Sequence, residues 1–300
     1  VPKRLLSLAA LCLAGGAVAA EPPPPLGVPD LVGPRTLALQ SGIALASGNE
    51  ALFLNPAALA ARRRYVADTF FLTDRRPGLS GSSRQQDWFG GAVEDASTTK
   101  VAAGLAYARG LKGTETGTLL RLGLASAVSE GVYLGLQGNY YDLHGRSDAG
   151  VRIKSAFNLD AGLFYQVTPT VAIGGTAYNL LGAKREERGV LPRGYGAGVV
   201  AGKDTSLQVA ADWRYDLDRI SPKGKKKTNR FSIGAEYLFS GAVPLRAGFE
   251  IDETSKTNWW SAGAGYVTTR FGIDLGYRQS TTDPKAKTIG VGLKVYVPSE

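Results

Sequence analysis

Cysteine, histidine and methionine are almost missing from this chain of 300 residues, which has one cysteine, one histidine and no methionine. The cysteine, Cys12, lies in an apolar N-terminal stretch, so the remainder is thiol-free. That suits an oxidising compartment and excludes disulfides and thiol chemistry downstream. One histidine with no cysteine beside it leaves no ligand set for a transition metal. His144 lies within Asp142-Leu143-His144-Gly145-Arg146-Ser147-Asp148, where Ser and Asp invite a hydrolase reading. A catalytic triad needs its base fixed against the nucleophile, and an exposed glycine-containing loop does not supply that. Loop carboxylates show no dense calcium spacing, and no phosphate-cradling glycine motif follows a strand-to-helix switch. The reading is a non-enzyme with no catalytic residue, no cofactor and no metal. Long apolar runs are missing too: beyond the N-terminus nothing reaches the roughly 18 residues of a membrane helix.

Residues 1–20 read as a signal peptide. Lys3 and Arg4 form a charged start, Leu5 to Ala14 an apolar core, and Ala17 to Ala20 a small-residue cleavage site before Glu21. Residues 21–60 begin with a proline-rich leader, Pro22 to Pro25 with Pro29 and Pro34. From Arg35 onward leucines are spread among small residues, and Asn55-Pro56 breaks any ladder, so short helices or coil are expected.

Residues 61–300 are different. Short segments alternating apolar with polar or glycine residues recur about fourteen times, the pattern of strands with one dry and one wet or crowded face. They fall at 62–74, 86–95, 100–109, 117–127, 131–141, 155–166, 170–180, 194–203, 206–216, 229–239, 243–251, 259–268, 270–279 and 287–297. Such lengths cross a bilayer when tilted. Tight turns at 167–170, 202–205, 240–242 and 268–269 alternate with longer connections at 142–154, 181–193, 217–228, 252–258 and 280–286. Short periplasmic turns and long external loops are the sidedness of an outer-membrane barrel. The expected fold is all-β: a transmembrane antiparallel β-barrel of about fourteen strands with a short N-terminal helical or coil plug.

One parity is apolar, as in Phe231, Ile233, Ala235 and Tyr237, or Ile289, Val291, Leu293 and Val295. Aromatics gather at the strand ends: Tyr107, Tyr140, Trp213, Tyr215, Trp260 and Tyr277 at one edge, and Tyr165, Phe239, Tyr266 and Phe271 at the other. Amphipathic rings at headgroup level form such girdles. The opposite parity carries glycine at 104, 123, 135, 162, 234, 248, 263, 265, 276, 290 and 292. Glycine within a strand often marks the close approach of another backbone. The same parity places Asp68, Arg121, Asp160, Asp212, Arg214, Arg230, Glu236, Arg246, Glu250, Asp274 and Arg278 in the lumen, with Phe70, Leu72 and Phe164 among its few apolar members. Mixed signs suggest ion pairs across the lumen rather than a one-sign selectivity ring.

The stretch Gly48-Asn49-Glu50-Ala51-Leu52-Phe53-Leu54-Asn55-Pro56-Ala57-Ala58-Leu59 resembles the N-terminal signature of the FadL-like outer-membrane transport proteins, a superfamily that includes PorV-like and TraF-like barrels. The resemblance implies that Asn49, Glu50, Phe53, Asn55, Pro56 and Ala57 belong to a hatch folded inward to plug the barrel. It also implies passage of a hydrophobic small molecule, with sideways exit through a break in the wall. The PorV-like and TraF-like branch implies another role, an anchor or shuttle for a secreted protein partner. The run Lys223, Lys225, Lys226 and Lys227 and the stretch Lys184 to Arg188 lie on expected external loops. No aromatics interleave with them, so contact with lipopolysaccharide phosphates is expected rather than nucleic acid. The expected location is the outer membrane, with lipid, lipopolysaccharide and a hydrophobic ligand as partners.

Overall fold

A strand whose outer parity is continuous hydrocarbon and whose inner parity is glycine and charge cannot sit stably as an edge, because its unpaired amides would be left open. Here every strand finds two neighbours. The computed structural model describes residues 33–45, 48–77, 83–98, 101–112, 115–145, 155–182, 191–221, 224–253 and 256–297. Two short helices, α1 (Pro34–Leu39) and α2 (Ala51–Leu54), and a 3-10 turn (Pro56–Ala61) precede the strands. These are β1 (Tyr65–Pro77), β2 (Ser83–Asp95), β3 (Val101–Lys112), β4 (Glu115–Ser129), β5 (Val132–Gly145), β6 (Ser155–Thr168), β7 (Val171–Tyr178), β8 (Gly194–Gly202), β9 (Leu207–Ser221), β10 (Gly224–Phe239), β11 (Val243–Asp252), β12 (Thr257–Val267), β13 (Phe271–Ser280) and β14 (Lys287–Val297).

Each strand pairs antiparallel with the next, and β1 closes the ring on β14 in a ladder from Tyr65↔Val297 to Arg75↔Lys287. The result is a closed barrel of 14 strands. Both ends of the barrel chain and the tight turns share one rim, the turn rim, and the longer connections lie at the loop rim. The outward parity is exposed along its length, as in Leu134 and Leu136 of β5 or Ile289 to Val295 of β14. A continuous apolar band of this kind is far more than a soluble surface tolerates, and hydrocarbon is its natural solvent. Aromatic neighbours sit at its edges, with Trp260 and Tyr277 5.3 Å apart, Trp213 stacked on Tyr215 at 5.9 Å, and Tyr266 6.1 Å from Phe271.

Most strand ends fall within three residues of expectation, and three departures stand out. The connections 142–154 and 217–228 are shorter than their polarity suggests, because β5 runs to Gly145 and the β9–β10 ladder reaches Ser221 and Gly224. Backbone pairing continues beyond the apolar band, since the ladder is made by main-chain groups and does not require apolar side chains. His144 consequently stands on β5 opposite Thr116, within a ladder rather than a loop. Lys225 and Lys226 likewise lie on β10, and Lys227 is an exposed residue of the same strand. Lys223, the stretch 184–188, the leader from residue 21 to 32 and residues 1–20 lie outside the described residues.

The third difference is in β7, which stops at Tyr178 because Asn179 adopts a left-handed backbone, φ 54°. The chain turns out of the ladder there. Side chains of β6 take over the pairing, with Asp160 accepting from the Asn179 amide at 2.8 Å and Asn158 from the Leu181 amide at 3.0 Å. As a result β7 and β8, of 8 and 9 residues, are flanked by strands of 14 and 15.

Candidate functional site

The N-terminal segment folds into the barrel and fills its lumen. Pro34 opens α1, where its fixed φ suits the first helical turn and its missing amide costs nothing. The helix ends at Gln40, left-handed at φ 59°. The chain then swings past β9, where Asp212 accepts the amides of Gly42 and Ile43 at 2.6 and 3.0 Å. Asn55 caps the 3-10 turn, its Oδ1 accepting from the Ala57 amide at 3.1 Å. Its Nδ2 donates at 3.0 Å both to the Ile43 carbonyl within the hatch and to the Leu163 carbonyl on β6. One fully buried side chain thus ties two hatch segments to the wall. Pro56 follows directly, fixing the chain direction into the turn.

The wall is shaped to receive this segment. A methyl group added at Gly162 would collide with Asn55 Oδ1, and one at Gly135 with the backbone of Pro56 and Ala57. At Gly234 and Gly248 it would strike the Leu39 carbonyl, and at Gly276 the Pro34 carbonyl. Gly104 and Gly123 face Leu52 and Leu59, Gly263 faces Ala38, and Gly290 and Gly292 face Pro34. Of the eleven glycines singled out on the inward parity, only Gly265 meets wall atoms alone, those of Pro244, Ile273 and Asp274. Gly174, Gly196 and Gly198 extend the seat along β7 and β8 around Ile43 and were not anticipated.

Charge ties the hatch to the wall on the β10–β14 side. Arg35 donates twice to Glu236, at 3.0 and 2.8 Å. Arg246 bridges Glu236 at 2.5 Å and Asp274 at 2.6 Å. Lys294 pairs with Glu50 of the hatch and lies 3.6 Å from Asp274. Burial by itself would raise the Glu50 carboxyl, but Lys294 and Arg35 beside it prevail and hold it down at about 2. On the opposite side Arg121 donates to the Leu52 carbonyl at 2.8 Å and lies over the Phe53 ring at 5.0 Å. Phe53 packs edge-on against Phe70 at 5.9 Å.

The remaining sequence-selected lumen residues fall into place individually. Asp160 is buried and accepts from Asn139 at 2.8 Å as well as from the Asn179 amide. Arg278 lies 4.7 Å over Trp259, and half-buried Arg214 lies 6.0 Å over Tyr178. Leu72, Phe164, Arg230 and Glu250 are buried in the lumen, and Asp68 is half-buried on β1. Asn49 of the hatch donates to the Ala92 carbonyl of β2 at 3.0 Å. The sequence reading missed Arg35, Lys294 and the Arg64–Glu94 pair at 3.5 Å. Parity could have found Lys294, which alternates inward between the outward Leu293 and Val295. Arg35 carries no such signal, because a six-residue helix shows too little periodicity to assign a face.

The sequence matches no family model and no curated protein. Its fold does match solved structures. The toluene transporter TbuX of Ralstonia pickettii superposes with a TM-score of 0.62 at 16% identity, covering 88% of this chain and 97% of that one. A FadL homologue of Pseudomonas aeruginosa gives 0.63 at 13% identity, covering 90% and 98%. The monoaromatic hydrocarbon channel CymD gives 0.63 at 14% identity, covering 88% and 96%. The fold is therefore shared with these solved transporter and channel barrels, over most of this chain and nearly the whole of theirs.

Proposed function

We propose that this chain resides in the outer membrane, delivered there by residues 1–20, and that it binds and passes a hydrophobic small molecule. In this reading residues 21–60 hold the leader and hatch, and residues 61–300 the conducting wall. The observation that carries it is the hatch, seated on glycines and tied to the wall by hydrogen bonds and ion pairs inside a closed barrel with an apolar outer face. A plug held non-covalently on a small-residue seat closes a lumen to water while remaining able to shift. The likeness to structures described as a toluene transporter and a monoaromatic hydrocarbon channel supports a hydrophobic cargo. Sideways exit fits best between β7 and β8, whose ladder ends at Tyr178↔Gly194 while the flanking strands continue. Next to that point Leu180 and Leu181 are exposed. No observation favours the anchoring or shuttle alternative. The test is equilibrium binding of a fatty acid and of an aromatic hydrocarbon to the purified, folded barrel. Saturable binding of either supports the reading, and the absence of saturable binding for both contradicts it.

A further inference from the structure

Two cavities open at the turn rim between hatch and wall, and their chemistry differs. The one on the β10–β14 side, of about 270 Å³, is walled by Arg35, Glu50, Glu236, Arg246, Asp274 and Lys294, the ion-paired groups described above. The other, of about 280 Å³, runs between the hatch and β6–β9. Its depth is largely apolar, made by buried Phe164, Ala172 and Val200 of the wall with Ala44 and Leu45 of the hatch, beside the buried amide side chain of Gln208, and Gln166, Thr170 and Thr205 add polar lining. Its mouth carries Arg62, Lys203 and Asp204. The Arg62–Asp204 ion pair is half exposed, lines both cavities and stands between them.

We propose that this second cavity, with its apolar floor and charged mouth, is a binding site for a small organic acid. The apolar body lies on Phe164, Ala172 and Val200, and the carboxylate faces Arg62 and Lys203. The proposal rests on the hydrophobic-cargo reading and adds to it a location and a chemical class. Size sets the body: an apolar cavity of about 150 Å³ holds benzene, so 280 Å³ accommodates a fused two-ring skeleton. Charge sets the head group, because two cations at the mouth face a single carboxylate, leaving a positive excess. A ligand carboxylate competes with Asp204 for the Arg62 guanidinium, whose planar fork suits either partner.

That competition gives the site a signature that a structural ion pair lacks. The probes are 2-naphthoate and its neutral twin naphthalene, titrated by ring fluorescence against the full-length barrel in detergent. Asp204→Asn releases Arg62 and is expected to tighten naphthoate about three- to tenfold, while Arg62→Ala weakens it by a similar factor. Neither substitution shifts naphthalene by more than about twofold, because it carries no charge. Val200→Phe fills the floor and weakens both probes about tenfold or more. If Asp204→Asn and Arg62→Ala move both probes in the same direction, the pair is structural and the proposal fails. The proposal also fails if naphthalene binds saturably while naphthoate is indifferent to all three substitutions, an outcome that leaves the cargo reading standing. Saturable binding of neither probe to the wild-type barrel overturns the proposal, and the cargo reading is then decided by the fatty-acid arm of its own test.

Discussion

Asn55 concentrates more of the plug's attachment than any other residue of the hatch motif. It caps the 3-10 turn and donates to carbonyls of the hatch and of β6, all without exposure to solvent. Replacing it with alanine leaves the buried Ile43 carbonyl, the partly buried Leu163 carbonyl and the Ala57 amide without those partners, at about 1–3 kcal/mol for each buried group that stays unsatisfied. Asn55→Ala is therefore expected to accelerate amide exchange across residues 41–61 well before the barrel melts, measured by hydrogen–deuterium exchange. Unchanged protection would place the plug's stability elsewhere. Glu50 yields a prediction in pH. Its folded value of about 2 is depressed from 4.5, so the stabilisation it brings is complete above 4.5 and is lost as pH falls through 2. Relative to Glu50→Gln, the wild type should lose about 3 kcal/mol of hatch stability across that window. The cations facing Glu50 are Lys294 on β14 and Arg35 on α1, and the carboxylates of Asp68 on β1 and Glu94 on β2 also act on it. A gap between the two proteins that stays constant from pH 5 to pH 2 would contradict the ion-pair account. Asn55 was legible from its motif, whereas the partners of Glu50 were only partly so. Lys294 was open to parity, but Arg35 is fixed by three-dimensional packing that a short helix does not announce.

Among the elements, the strands were legible because their period is two residues and lipid selects a predominantly apolar parity along the band. The loop rim was less so. Once the apolar band ends, nothing in the side chains marks where backbone pairing stops, and β5 and β10 extend beyond the expected boundaries. The shortening of β7 depends on Asn179 turning left-handed, a conformation asparagine tolerates but does not require. The inward glycines were legible as a seat before the structure showed what sits on them. They lend themselves to a direct test. Gly162→Ala and Gly234→Ala should displace the hatch by intruding on Asn55 and Leu39, exposing residues 33–61 to protease while the barrel remains heat-modifiable. Gly175→Ala, where the nearest atom to a new methyl is 4.0 Å away, should leave protection unchanged. Equal behaviour of all three variants would mean that the glycines serve the curvature of the wall rather than the plug.

For the molecule as a whole, a closed ring of strands with an apolar exterior surrounds a non-covalent plug with a ligand-sized space beside it, the arrangement on which the proposed carrier role rests. Closure through β1 and β14 removes every sheet edge among the described strands, so the hydrocarbon band can be continuous. The folded barrel is expected to run faster on a gel before heating than after it, and a species confined to the soluble periplasmic fraction would contradict the membrane assignment. Cargo was the least legible feature. The proposed site lies in a cavity formed between segments distant in the chain, such as Leu45 and Val200. No linear motif encodes that neighbourhood. The most direct test of the central claim is the initial rate of uptake of a radiolabelled apolar compound, a hydrocarbon or a fatty acid, by cells deprived of their own FadL-like barrels. With this chain folded in the outer membrane the rate should rise several-fold over the empty strain, and Asn55→Ala at equal barrel levels should alter it. A correctly folded, heat-modifiable barrel that leaves uptake at the level of the empty strain would contradict the account.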